Sequence, residues 1–565
     1  MEPRTWHRHY DPGVPPSIDG ERVTMPETLR RTAQRFARKD AIRFYNGRMT
    51  WAELDLAVDR FAAALVRLGV VRGTRVAIQL PNTPQSVIAF LGTLRARGVC
   101  VMTNPLSMPP EIERQWTDAG CEVCVLADFL QERSLPRAAR LPVREWIVAS
   151  IPEYFRFPLK QLAPLKLRRV SPPLVADVVR APNVHRFRPL LAAHAKTGES
   201  GLPLPSLDDL AALQYTGGTT GASKGAMLTH ENFAAQAQQL MAWMPELVAG
   251  DEVFLSALPF FHVFGLTVGL VLPVLLGATM IIEPNPRDIA RLIDDVNRHR
   301  VTIFPIVPAL AHSIATHPSV RRLEVRSLKL CVSGSAPLTE ETLQRFEKAT
   351  GGRLVEGYGL TEACPVTHVN PTRGRRKTGT IGLPLPETDC RLVSIEDGVS
   401  DVPAGAEGEL FIRGPQIMRG YWNRPEETRD ALEDGWLHTG DLAVMDEDGY
   451  FRIVGRKKDM IAVGGYKVYP DEVDRALAEH ADVIESATIG VPDARRGEIV
   501  KSFVVLRPGA HMDPDALRTF CRERLAAYKI PREIELRDSL PKSSVLKVLR
   551  RELLDEEMRR RGTAG

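Results

Sequence analysis

The sequence has little that would mark a membrane-spanning, secreted or nucleic-acid-binding protein. Its most apolar long run, residues 263–282, is interrupted by Gly265, Gly269, Pro273 and Gly277, so it reads as buried helix and strand rather than a bilayer span. Lys and Arg number 74 against 70 Asp and Glu, a formal +4, which gives a nucleic-acid role no support. Seven cysteines, an odd number spread along 565 residues, make no disulfide framework. Cys121 and Cys124 lack a second pair at zinc spacing and read as buried strand residues. The first residues contain no apolar core of a signal peptide. No internal repeat is evident. A reduced, cytoplasmic setting follows.

What is present is alternation. Helical periodicity at residues 27–36, 51–68 and 86–98 alternates with buried-strand patterns at 75–80 and 122–127. Such strand–helix units predict an α/β fold with layered, largely parallel sheets. Residues 380–455, rich in Gly and short β runs, predict a β-rich subdomain. Beyond Arg456, patterns for a helix at 470–480, strands at 486–491 and 501–506, and a helix at 515–526 predict a small α+β domain. The boundary is placed at Lys457–Lys458, giving domains of residues 1–457 and 458–565. Residues 150–195 differ from both, with prolines, aromatics and many cations but few acids. That composition suits either a basic excursion over the core or contact with an anionic membrane face.

Six segments carry the chemistry. Residues 215–225, Tyr-Thr-Gly-Gly-Thr-Thr-Gly-Ala-Ser-Lys-Gly, lie between two apolar strand patterns. Their glycines permit unusual backbone geometry, and successive N–H groups in such a turn form an anion nest suited to a polyphosphate. They are not a Walker A loop, because Lys224 stands between Ser223 and Gly225. Residues 333–337, Ser-Gly-Ser-Ala-Pro, offer exposed backbone to a flat base. Residues 356–362, Glu-Gly-Tyr-Gly-Leu-Thr-Glu, offer an aromatic face, a hydroxyl and a carboxylate. Residues 436–441 are expected to end in an isolated acid, Asp441, after a Gly turn. Gly455 and Arg456 bring a cation nearby, and residues 541–547, Pro-Lys-Ser-Ser-Val-Leu-Lys, lead into a basic helix.

In this order and spacing the six segments resemble the adenylate-forming superfamily of acyl-CoA synthetases, adenylation domains and luciferases, over residues 25 to 555. The resemblance implies a large N-terminal domain and a small mobile C-terminal one. It implies a phosphate loop at Thr216, Gly217, Gly218, Thr219, Thr220, Gly221 and Lys224. The adenine side falls to Gly334, Ser335 and Ala336, facing Glu356, Gly357, Tyr358 and Gly359. Thr361 and Glu362 resemble catalytic positions, with Glu362 and Thr220 linked to Mg²⁺. Asp441 resembles the ribose acceptor, with Ile453 and Arg456 beside it. Lys547 aligns with the adenylating lysine and Lys458 with the hinge. Gly464, Gly465, Tyr466 and Lys467 resemble the loop that serves thioester formation. One departure is Leu546, where the family usually has Gly; a leucine there would be strained if the position needs positive φ.

Residues 258–265, Leu-Pro-Phe-Phe-His-Val-Phe-Gly, are similar to the fatty acyl-CoA synthetase version of an acid-site segment. This puts His262 at the mouth of the acid site and Val263, Phe264 and Gly265 on the acyl pocket wall. The activity implied is ATP-dependent, AMP-forming ligation of a medium- or long-chain fatty acid to CoA, with Mg²⁺ as cofactor and ATP and CoA as co-substrates. An aryl-acid CoA ligase, an acyl-AMP ligase serving a carrier protein, a luciferase-like oxygenase and a non-enzymatic acyl or nucleotide sensor remain alternatives. Peripheral contact with the cytoplasmic membrane face through residues 150–195 is expected under the fatty-acid reading.

Overall fold

The computed structural model describes residues 4–194, 202–216, 223–323, 325–463, 466–493, 496–543 and 548–562. Two large sheets dominate. In the first, six parallel strands run in the order Leu354–Gly359, Leu330–Ser333, Ile303–Ile306, Val253–Ser256, Thr279–Ile282, Asp40–Phe44. Antiparallel strands finish it at both ends, Val366–Val369 followed by Leu383–Pro384 on one side and Gly47–Thr50 on the other. The second has seven strands, parallel except for the last pair, Leu210–Thr216 with Lys224–Thr229. Most of these strands are apolar on both faces, because helices cover the sheets. Helix Pro84–Arg95 is buried along its whole length, and its N-terminus is capped by the Thr83 hydroxyl, which accepts from Ser86 N–H. It packs on helix Trp51–Arg67 through Gly92, where a Cβ would lie 2.7 Å from the Phe61 ring.

A five-stranded antiparallel sheet of Asp389–Val393, Glu407–Arg413, Leu432–Glu433, Trp436–Met445 and Phe451–Arg456 forms the β-rich part. A separate sheet of Ile461–Val463, Tyr466–Val468, Val483–Asp493, Gly497–Leu506 and Glu533–Leu536 has two core clusters of its own. Helices Pro470–Ala478, Pro514–Arg522 and Arg550–Gly562 pack with it. It touches the larger part through Arg507, which donates to Glu341 at 3.0 Å, and through Tyr469, packed on Gly455.

Two local expectations change. The Gly turn expected before Asp441 is part of a continuous ten-residue strand, Trp436–Met445; Gly440, at φ +68°, lets the strand bulge there instead of reversing. The apolar run 263–282 is helix and strand as expected, helical to Leu276 with a wider turn at Thr267–Val271, before strand Thr279–Ile282. The helix expected at 515–526 stops at Arg522. All seven cysteines are free and buried, Cys121 and Cys124 on a strand as read. Among the described residues, no helix is long and apolar enough to cross a membrane.

Candidate active site

The candidate residues gather beyond the C-terminal ends of the central parallel strands. Strand Leu330–Ser333 runs out into Gly334, Ser335 and Ala336. Ser335 takes φ +71°, a left-handed conformation that costs a non-glycine residue energy and often marks a ligand site. A Cβ on Gly334 would lie 3.3 Å from the Phe264 ring and 3.6 Å from Gly357 O. The segment Gly334–Ala336, strand Leu354–Gly359 and helix Val263–Leu266 therefore meet at one point. Gly357 and Gly359 belong to that strand, and a Cβ on Gly359 would fall 2.0 Å from Pro365 O, so only glycine fits. Glu356 accepts from Leu338 N–H at 3.0 Å, and burial pushes its carboxyl up to about 8.

Two tyrosine–carboxylate pairs flank this point. Tyr358 Oη donates to Asp441 Oδ2 at 2.5 Å, and Arg456 Nε donates to Asp441 Oδ1 at 2.8 Å. Asp441 and Arg456 are cross-strand partners, so sheet register fixes the ion pair. Asp441 holds the guanidinium pKa above its ordinary value, while burial and Asp441 drive the Tyr358 phenol well up. Ile453 sits on the same strand as Arg456 and packs with Tyr358 around the adjoining core. The second pair is Tyr421 and Glu362. Tyr421 Oη donates to Glu362 Oε1 at 2.7 Å, and the Lys224 ammonium lies 5.1 Å from the Tyr421 ring centroid. Thr361 and Glu362 occupy a short 3₁₀ turn, Thr361–Ala363. Met418 N–H donates to the Glu362 carbonyl at 2.7 Å, fixing the turn from outside.

Thr216 and Lys224 face each other at the ends of their antiparallel strands. Gly217, Gly218, Thr219, Thr220 and Gly221, between them, lie outside the described residues, as do Gly464, Gly465, Leu546 and Lys547. Tyr215 Oη donates to Asp118 at 2.6 Å, and Arg424 reaches the other carboxylate oxygen at 3.0 Å. His262 caps the helix that begins Val263–Leu266, its Nδ1 accepting from Phe264 N–H at 3.3 Å. Gly265 packs so tightly on the backbone that a Cβ would fall 2.3 Å from Pro259 O. Gln214, on strand Leu210–Thr216, donates to Phe261 O at 2.5 Å, tying that strand to the segment that leads into His262.

Lys458 sits in the turn Lys457–Asp459 that leads to the C-terminal sheet. Burial first, and the Arg456 cation second, lower its pKa, while Asp441 and Glu362 act in the opposite sense. Tyr466 and Lys467 stay on the exposed side of the C-terminal sheet, the Tyr466 ring stacked on Tyr528 at 4.6 Å. Lys542 is paired with Glu485, and its backbone bridges Val548.

A family profile described as AMP-binding enzyme matches residues 29–422, and one described as AMP-binding enzyme C-terminal domain matches residues 472–547. The chain belongs to the AMP-binding enzyme family. It is 43% identical over 559 residues, 98% of each chain, to a Bacillus subtilis protein named Long-chain-fatty-acid–CoA ligase. The crystal structure of ATP-bound MatB from Rhodopseudomonas palustris is similar with a TM-score of 0.81 at 30% identity, covering 95% of this chain and 99% of that one. The anthranilate CoA ligase AuaEII in complex with anthranoyl-AMP gives a TM-score of 0.82 at 26% identity, over 95% and 98% of the two chains.

In this AMP-binding enzyme, sequence reasoning missed Tyr421 and Asp118. Tyr421 reaches the site because residues 419–422 run antiparallel to 225–227, with Met227 N–H donating to Gly420 O at 2.9 Å and Trp422 N–H to Gly225 O at 2.8 Å. The run Gly420-Tyr-Trp-Asn-Arg-Pro was the available signal: adjacent aromatics at a glycine, ahead of helix Pro425–Ala431.

Proposed function

We propose that the chain is an ATP-dependent, AMP-forming fatty acid:CoA ligase that takes a medium- or long-chain acid. The observation that carries this reading is the shared wall at Gly334, where the segment assigned to adenine touches Phe264 of the apolar helix. A nucleotide and an acyl chain laid on either side would bring a carboxylate to the α-phosphate. The name of the Bacillus subtilis relative supports the acid class. A second reading, an aryl-acid CoA ligase, is favoured by the resemblance to AuaEII.

In the first step a carboxylate oxygen attacks the α-phosphorus, the bond to the β-phosphate oxygen breaks, and pyrophosphate leaves. Both reactants are anionic, so the work is positioning and charge neutralisation. Lys224, Thr216 and the loop at 217–221 hold the departing pyrophosphate, and Lys547 neutralises the α-phosphate. Asp441 receives the ribose hydroxyls with the lone pairs left over by Tyr358 and Arg456. Gly334, Ser335 and Ala336 bound the adenine with Tyr358. Among the described residues no cluster of three or more His, Cys, Asp or Glu could hold a metal alone. A single carboxylate, Glu362, with Thr220 and the substrate's phosphates, fits Mg²⁺, which keeps waters and few protein ligands. Bound there, Mg²⁺ would supply screening of phosphate charge.

In the second step the CoA thiolate attacks the acyl carbon and AMP leaves. Lys547 and the 464–467 loop serve the two steps alternately as residues 458–565 turn about Lys458. Each methylene buried along the apolar helix contributes about 0.8 kcal/mol, so chain length is selected. Acid-dependent exchange of labelled pyrophosphate into ATP, run over acids from acetate to oleate and cinnamate, tests the reading. Exchange should peak with a medium or long chain. Lys547→Ala should abolish it while sparing thioester formation from supplied acyl-adenylate. A cinnamate optimum would favour the aryl reading, and absence of exchange with every acid would refute a ligase.

A further inference from the structure

The helix Leu159–Leu167 buries none of its side chains. Just before it Phe157 is 79% exposed, and within it Leu162 and Leu165 are 57% and 60% exposed. Leu159, Leu162 and Leu165 recur every three residues and share one side. Soluble surfaces scatter such side chains singly; four large apolar groups within nine residues form a patch. Cations surround them. Residues 154–193 hold eight Lys and Arg against one acid, Asp177, in a chain whose totals are 74 and 70. That one acid is already paired with Arg168 at 2.5 Å. Lys160, Lys166, Arg168 and Arg169 are exposed beside the leucines.

The patch is joined to the acid-side segment by a short chain of hydrogen bonds. Gln85 donates to Ser150 O at 2.7 Å and to Glu153 at 3.0 Å, immediately before Tyr154 and Phe155. Three residues earlier, Asn82 donates to Ser256 O at 3.1 Å and Leu258 O at 2.8 Å and accepts from Phe260 N–H at 2.9 Å. Those residues lead directly into His262 and Phe264.

We propose that residues 156–169 dock this protein on an anionic lipid bilayer, with Phe157, Leu162 and Leu165 entering the acyl–headgroup boundary and the flanking cations meeting lipid phosphates. Neither component suffices by itself: few apolar side chains give marginal insertion, and each cation near an anionic surface adds attraction that salt screens. The inference rests on the fatty-acid reading for its purpose, which is to place the acid site beside the phase that holds the substrate.

The test is co-sedimentation of the full chain with vesicles of equimolar phosphatidylglycerol and phosphatidylcholine, and of phosphatidylcholine alone. Binding should occur to the first and fall at high salt. It should weaken about tenfold in Leu162→Ser/Leu165→Ser and about tenfold in Lys160→Glu/Lys166→Glu. Both double variants should keep wild-type pyrophosphate exchange with a water-soluble acid, which shows that they fold. Wild-type protein that ignores anionic vesicles, or variants that bind as well as wild type, would overturn the proposal. So would tighter capture by RNA that the leucine changes leave untouched. Vesicle binding without exchange on any acid would instead refute the ligase reading and leave the docking surface standing.

Discussion

The two carboxylates of the site are built alike and finished differently. Each accepts from a tyrosine hydroxyl, Asp441 from Tyr358 and Glu362 from Tyr421. Each has a cation nearby. Arg456 binds Asp441 directly at 2.8 Å, with sheet register holding both residues. Lys224 instead lies over the Tyr421 ring. Among the described residues, the second oxygen of Glu362 has no hydrogen-bond partner. Under the proposed function, the difference separates scaffold from reactive group. Asp441 is buried and satisfied, so it can present fixed lone pairs to a neutral hydroxyl. Glu362 is partly open, and under the proposed ligase chemistry it keeps an oxygen for a cation that arrives with substrate.

Removing the two charges should therefore have opposite signatures. Glu362→Gln should cost about 10²- to 10³-fold in pyrophosphate exchange, the scale of losing one electrostatic group in a preorganised site, with an unchanged melting temperature. Asp441→Asn should cost less activity, roughly tenfold and mainly in KM for ATP, but should destabilise the fold. It leaves Arg456 without its counter-charge, worth about 2 kcal/mol once the partial exposure of the guanidinium is allowed for. Exchange assays and thermal melts on both variants decide the matter. Equal loss of stability in the two would erase the distinction.

The tyrosines sharpen the comparison at smaller amplitude. Tyr421→Phe frees Glu362, so exchange should fall about threefold to tenfold and the Mg²⁺ concentration for half-maximal rate should rise. Tyr358→Phe should leave the Mg²⁺ dependence unchanged and cost about 1 kcal/mol of stability. A Mg²⁺ titration of the two variants at saturating ATP separates these outcomes.

What the sequence made legible was local. The strand pair around 217–222, the α/β layering, the β-rich sheet and the segments at 333–337 and 356–362 each announce themselves through periodicity or a dense run of small and polar residues. Glu362 and Asp441 could be singled out in the same way. Their partners could not. Tyr421 lies 59 residues from Glu362, and Asp118 lies 97 residues from Tyr215. Those meetings depend on how residues 419–422 fold back on 225–227 and on how two sheets pack. Neither leaves a trace in periodicity or local propensity. The strand through Gly440 was misread for a related reason: a glycine with positive φ marks a turn or a bulge, and only the neighbouring strand, Glu407–Arg413, decides which.

The smallest effect tests the third carboxyl of the site, Glu356, whose environment differs from both others. Among the described residues it has one backbone donor and no cation in contact, and burial holds its carboxyl at about 8 against 4.5 for the free side chain. The folded state therefore keeps a proton that the unfolded state releases between these values. Where the native state binds more protons, stability falls as pH rises. The wild-type protein should lose stability from pH 5 to pH 8.5 through this group, and Glu356→Gln, which stays neutral and keeps an acceptor for Leu338 N–H, should lose less. At pH 5 the variant should melt with the wild type; at pH 8.5 it should melt higher, by roughly one degree for each kcal/mol at this chain length. A variant that melts below the wild type at both values would mean that the ionised carboxylate is favoured after all, and that a partner cation reaches Glu356 as Arg456 reaches Asp441.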